Sequence, residues 1–229
     1  MRALPGPALL AAAALAVAGC GGASKGPPPA QVVAAATKAT SAEKSFHFVY
    51  DEQHGPRSTK GLHLIFAEGD VVVPGRIKAD VQGTYLGVPL RSALVVVGGH
   101  DYLRNPFTQT WQKVSVATNP IAFFDPAKGV LAVIGAATQI ETAGSEKVDG
   151  LDAYHVEGKV PVSAITPMLG NPPSSKLVGV DLWIDKDSSR LLRVRISGPV
   201  ETGDPSNAVR TVDLSRYGEA VSITPPAAS

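Results

Sequence analysis

The chain carries a single cysteine, Cys20, in 229 residues. One thiol cannot close an intramolecular disulfide, so stabilisation by oxidative cross-links is excluded. An excess of one charge is also missing: 21 Lys and Arg stand against 20 Asp and Glu, and no basic block occurs. That removes the electrostatic footprint of a nucleic-acid binder and the polybasic steering of a peripheral membrane protein. Long apolar runs are absent as well. Leu9 to Ala18 is the most apolar stretch, well short of the ~20 residues that a spanning helix needs.

Enzymatic constellations are lacking in the same way. Five histidines, at 47, 54, 63, 100 and 155, fall into no HExxH, HxH or His/Cys ligand spacing. His47, His63 and His155 lie in alternating runs and His54 and His100 in turn-like contexts, so all five read as partly exposed strand or turn residues. No serine sits in a GxSxG elbow. Asp181 and Asp185 flank Trp183 on one strand face, about 13 Å apart along the strand. Glycosidase pairs need ~5 Å when retaining and ~6.5–9.5 Å when inverting. Gly98-Gly99 has no strand–loop–helix frame around it that could cradle a phosphate. The expectation is a protein without catalytic residues, metal ligands or cofactor.

What is present begins at the N-terminus. Arg2 is followed by the short apolar stretch, and the run ends in Leu15-Ala16-Val17-Ala18-Gly19-Cys20. Residues 1–19 read as a signal peptide. Small residues before a lone cysteine suit lipidation: a diacylglyceryl thioether forms on the sulfur, cleavage follows Gly19, and the new amino terminus can gain a further acyl chain such as palmitate. Val17 stands where such boxes more often have Leu. The alternative is an ordinary secretory signal with an incidental cysteine. On the lipoprotein reading the mature chain starts at Cys20 and is held at the extracytoplasmic face of the cell membrane by two or three chains, where one alone is marginal.

Residues 20–29 then form a lipidated, Gly-, Ser- and Pro-rich tether, and 30–226 the folded domain. Ala30 to Ala42 reads as a first helix, with Val32, Val33 and Ala36 on one side. From Ser45 the period becomes two, as in Phe46, Phe48 and Tyr50, then Leu62, Leu64 and Phe66. Further strands are predicted at 71–85, 88–98, 100–104, 110–116, 176–186, 190–200, 208–217 and 219–224. Two helical interruptions are predicted, at 119–137 with Asp125-Pro126 as its start, and at 162–169. The first holds Ile121, Phe123, Phe124, Val130, Leu131, Val133 and Ile134 and has no charge after Lys128; the second holds Ile165, Met168 and Leu169. Helices apolar all round must be buried or face apolar material that is not protein.

The fold class expected is α+β: one curved antiparallel sheet of about ten strands, a half-open barrel wrapped around short apolar helices. Runs apolar on both faces, such as Ala93 to Val97 and Val178 to Ile184, exceed what a meander with one wet face requires. A cavity and a solid core both remain open on pattern alone.

The ordered motifs go further. Phe124-Asp125-Pro126 precedes Gly129-Val130-Leu131, Glu146 to Gly150 precede a strand, and Gly158-Lys159-Val160 precedes the short helix. Val180-Asp181-Leu182-Trp183-Ile184 follows, and Asp213-Leu214-Ser215-Arg216-Tyr217-Gly218-Glu219 leads to Val221, Ile223 and Pro225-Pro226. In this succession, from about residue 30 to 226, the chain resembles the LppX/LprA/LprF/LprG lipoproteins of mycobacteria and other actinobacteria. The resemblance implies a fold like that of periplasmic lipoprotein carriers. It further implies a cavity for multi-acylated lipid, triacylglycerol or acylated glycolipid, carried within the cell envelope, with a membrane transporter as a plausible partner. On that reading Ile121, Phe123, Phe124, Val130, Leu131, Val133, Ile134, Ile165, Met168 and Leu169 line the lipid cavity. The Pro- and Ser-rich stretch from Gly170 to Lys176 departs from the pattern at the cavity mouth. The rival expectation is a surface lipoprotein with a solid core, acting as an adhesin or an accessory subunit of an envelope complex.

Overall fold

Period-two alternation folds into strands because each places one side chain in three dimensions on the inner face and the next on the outer. In a computed structural model describing residues 26–56, 62–114, 129–169 and 176–227, the strands are β1 (Ser45–Gln53), β2 (Leu62–Val72), β3 (Arg76–Tyr85), β4 (Val88–Val97), β5 (His100–Arg104), β6 (Trp111–Val114), β7 (Thr138–Val148), β8 (Leu151–Pro161), β9 (Leu177–Asp185), β10 (Leu191–Ser197) and β11 (Val209–Ser215). The helices are α1 (Pro29–Ser41), α2 (Val130–Gly135) and α3 (Val162–Leu169).

All strand pairs are antiparallel and form one sheet in the order β6-β5-β4-β3-β2-β1-β11-β10-β9-β8-β7. Two meanders thus meet where the first strand pairs with the last, with His47 opposite Ser215 and Gln53 opposite Val209. The two edges, β6 and β7, are successive in the chain, and the connection containing α2 joins them. The sheet is curved and unclosed. Its near end, where α1 leads into β1, carries the β2–β3, β4–β5, β7–β8 and β9–β10 turns. Its far end carries the β1–β2, β3–β4, β5–β6 and β10–β11 connections and the start of α3.

Several expectations are refined. The single run at 71–85 is split by a turn at Val73 to Gly75, where Gly75 has φ of 63°. β7 was not legible as a strand: it is an edge whose residues are mostly exposed, so Thr, Gln, Glu and Lys replace the apolar alternation. Residues 219–224 form no ladder after Gly218 (φ 75°); instead Ile223 packs on the convex face against Val72 and Val95. The helix around 130 begins at Val130 with Gly129 as N-cap, while Asp125-Pro126 lies outside the described residues. Helix 162–169 stands as expected.

The runs apolar on both faces have a definite cause. Leu94 joins the main core on the concave side, whereas Val95 joins the convex patch with Val72 and Ile223. Leu182 and Ile184 point inward, whereas Trp183 packs outward with Val148, Ala153 and Leu192. The second apolar face therefore seats small convex clusters; it does not face the helices.

Candidate functional site

Short of its far end, the concave face is one continuous apolar surface. Phe46, Phe48 and Tyr50 of β1 meet Ala67 and Val71 of β2, Val180, Leu182 and Ile184 of β9, and Val212 and Leu214 of β11. Onto it pack Val32, Val33 and Ala36 of α1, then Val130, Val133 and Ile134 of α2, and Ile165 of α3. α1 lies against β7, β9 and β10 and touches α2, which in turn touches α3. The end of α1 is pinned by polar contacts: Leu191 N–H donates to Thr40 Oγ1 at 3.1 Å, and Tyr217 O–H donates to the Leu191 carbonyl at 2.5 Å.

α2 is held differently. Its sequence, VLAVIG, contains no polar side chain, no acid or base in either terminal turn, and no side-chain cap. Six residues are far too few for a helix to persist by itself in water, so its order derives from apolar packing. Val133 and Ile134 are 0% and 1% exposed. Of the sequence-predicted cavity residues, Val130, Val133, Ile134 and Ile165 come together in the core, and Leu131 packs against it half-buried. Met168 and Leu169 lie on α3, and nothing further is described of their side chains. Ile121, Phe123 and Phe124, like Cys20, lie outside the described residues.

Polar chemistry that the sequence reading missed sits at the far end. His63 and His155 are buried, not partly exposed, because each is enclosed by carboxylates. His63 Nε2 lies 2.6 Å from Glu52 Oε1, and its Nδ1 3.7 Å from Glu201 Oε2. Arg210, from β11, donates through both terminal nitrogens to Asp204, at 2.9 and 3.0 Å, and reaches Glu52 at 2.9 Å. Burial pulls the His63 imidazole down, but the Glu201 and Glu52 carboxylates outweigh it and push it up to about 9. Burial raises the Asp204 carboxyl, yet Arg210 and the backbone N–H groups of Glu201 and Val200 hold it below the usual range. The parity of the strands was the available signal: Glu52 continues the inward row of Phe48 and Tyr50, and Arg210 that of Val212 and Leu214.

Glu52, His63 and Glu201 present ligand-type atoms within 4.8 Å of one another, beside a cleft of about 250 Å³ that includes Gly55, Thr84 and Gly87. Arg210 already contacts both Glu52 and Glu201, so it fills the place that a metal cation would take. On the convex face His155 bridges Glu146 and Asp181, each at 2.9 Å, and stacks on Trp183 at 4.4 Å. Arg195 covers Trp183 from 5.0 Å and pairs with Asp181 at 3.2 Å, which closes this group in the same way.

An apolar concave face under short helices, on an unclosed antiparallel sheet, has relatives. A model of the LppX_LprAFG lipoprotein family matches residues 28–223. The chain belongs to that family. It is 25% identical to the lipoarabinomannan carrier protein LprG of Mycolicibacterium smegmatis, over 96% of this chain and 94% of that protein. Lipoprotein LprA of Mycobacterium tuberculosis is 27% identical over 74% of this chain and 76% of its own. The crystal structure of LprF from Mycobacterium bovis superposes with a TM-score of 0.69 at 20% identity, covering 87% of this chain and 99% of that one. Among the described residues no helix is long and apolar enough to cross a membrane.

Proposed function

We propose that this chain is a membrane-anchored lipoprotein that binds multi-acylated lipid between its sheet and helices and carries it within the cell envelope. The observation that carries the reading is α2: a six-residue helix with apolar side chains only, in the connection between the two edge strands and packed against α1 and α3. Contacts of that kind are non-directional, so an acyl chain can replace them without leaving a buried polar group unpaired. Membership in a family whose relatives include proteins named as lipoarabinomannan carriers supports the same reading. Cargo of the triacylglycerol or acylated glycolipid class fits a site with no charged residue on α2.

The energetics fit a shuttle. Transfer from water gains ~0.8 kcal/mol per buried CH₂, on the order of 12 kcal/mol for one sixteen-carbon chain. A bilayer offers nearly the same gain, so exchange between membrane and protein is close to neutral. The protein lowers the barrier to exposing chains; direction comes from a lipid sink or from a membrane transporter as partner. The domain, residues 30–226, performs this task while acyl groups on Cys20, after removal of residues 1–19, keep it at the extracytoplasmic face. No step calls for a catalytic residue or a cofactor.

The solid-core reading draws on the near-complete burial of Val133, Ile134 and Ile165. Mass spectrometry of organic extracts from the purified chain carrying Cys20→Ala separates the two. Co-purifying multi-acylated lipid is expected. A clean extract from well-folded protein would instead favour an adhesin or accessory subunit.

A further inference from the structure

The far end of the sheet presents large apolar side chains to solvent on two neighbouring hairpins. β3 and β4 are joined by the two-residue turn Leu86-Gly87, with Tyr85 paired to Val88. Tyr85, Leu86 and Val88 are all exposed, Leu86 by 65%. β5 reaches only the level of Ala93, since Leu103 pairs with Leu94, so the β3–β4 tip projects past its neighbour. In the adjacent β5–β6 turn Phe107 is 82% exposed. The Asn105 side chain accepts from the Phe107 and Thr108 backbone N–H groups and fixes that turn with Phe107 outward.

The Leu86 backbone makes the exposure a matter of design. Leu86 has φ of 51° and Gly87 of 81°. Both central residues are left-handed, a geometry for which Asn-Gly or Asp-Gly is the favoured pair. A leucine there is strained and gains nothing from burial, which points to a role outside the folded chain.

Charge identifies the occupant. No acid occurs from Val81 to His100 or from Tyr102 to Val114, while Arg91 is exposed in the same hairpin and Arg104 ends β5. Arg104 has one acidic contact, Asp80 at 3.9 Å. At this end Glu52 and Asp204 are buried against His63 and Arg210, Glu201 is partly exposed beside them, and the exposed Glu141 lies on β7 at the opposite edge of the sheet. Apolar tips flanked by the exposed Arg91 and the half-buried Arg104 suit anionic headgroups above an acyl layer. A second copy of the chain would bring like-charged tips together.

We propose that the far end of the sheet docks on an anionic lipid bilayer, with Leu86 and Phe107 inserted as apolar tips and Arg91 and Arg104 at the headgroups. The surface acts whether or not the concave face holds cargo, so its test is independent of lipid load. With Cys20→Ala the full chain has no thiol, and Leu86→Cys, Phe107→Cys or Leu151→Cys each adds one for an environment-sensitive dye. Leu151 is an exposed residue at the near end and serves as control. Vesicles of phosphatidylcholine containing phosphatidylglycerol are expected to shift dye emission to the blue at 86 and 107 and leave 151 unchanged. Phe107→Asp together with Leu86→Asp, in the unlabelled Cys20→Ala chain, should lower the vesicle-bound fraction about tenfold without lowering the melting temperature. Tip dyes that stay silent, a control that shifts equally, or binding that the double variant retains would overturn the proposal. A blue shift without vesicles that grows with protein concentration would overturn it too, in favour of self-association.

Discussion

His63 Nε2 lies 2.6 Å from Glu52 Oε1, with both side chains buried at the far end of the sheet. A histidine so placed stores stability in its proton. Its folded value, about 9, lies above the ordinary 6.5, so its contribution is complete below pH 6.5 and is lost as pH rises through about 9. A shift of that size is worth roughly 3 kcal/mol at the low-pH limit. The thermal midpoint is expected to fall as pH is raised from about 6.5 to beyond 9, and His63→Gln should flatten that slope. An equal slope in the variant would place the titrating group elsewhere.

Arg210 neutralises two buried carboxylates, Glu52 and Asp204. Arg210→Met therefore leaves charge unpaired, at a cost of about 3–5 kcal/mol measured by denaturant unfolding at neutral pH. Adding Glu52→Gln and Asp204→Asn should recover much of that loss, because the uncompensated charges go with the acids. Failure to recover would mean that Arg210 acts mainly through its packing.

These two expectations mark what the sequence showed and what it hid. The inward row Phe46, Phe48, Tyr50 and the row Val178, Val180, Leu182, Ile184 were legible because burial on one face imposes period two. So was helix 162–169, bounded by Pro161 before it and by Gly170 with two prolines after it. β7 was not, since an exposed edge needs no apolar alternation. His63 and His155 were misread because their burial depends on partners distant in sequence: Glu201 for one and Asp181 for the other. Trp183 read as surplus apolar surface until Leu192 and Val148 covered it on the convex side. At the site, the apolar character of α2 was plain in VLAVIG, whereas its packing against α1 and α3 is a tertiary fact.

Leu86 offers a trade between stability and docking. Leu86→Asn puts the residue preferred by this turn at φ 51° and should raise stability by about 1 kcal/mol in chemical denaturation. The same variant should bind anionic vesicles more weakly. A loss of stability would show that Leu86 makes contacts which outweigh its strain.

Cys20 is the sole thiol, so no other side chain could carry the proposed thioether. Cys20→Ala is expected to move the protein from the firmly bound membrane fraction to one released by high salt, provided export continues. Retention as tight as that of the parent, after a salt and carbonate wash, would rule out lipidation as the anchor.

Ile134 decides between carrier and solid core. It is 1% exposed and sits on α2 among Val130, Val133 and the α1 residues of the same core. In a close-packed interior, Ile134→Trp forces strain of about 1–3 kcal/mol. Where acyl chains normally fill the space, the indole takes their place at little cost to the protein. Lipid load and thermal stability should be read on the same preparations, against delipidated parent, because bound lipid stabilises the fold by mass action. The carrier reading expects lipid to fall sharply while the stability of the emptied protein changes by less than about 1 kcal/mol. A large loss of stability, with no lipid in either form, would make Ile134 ordinary core and leave family membership as the sole support for carriage.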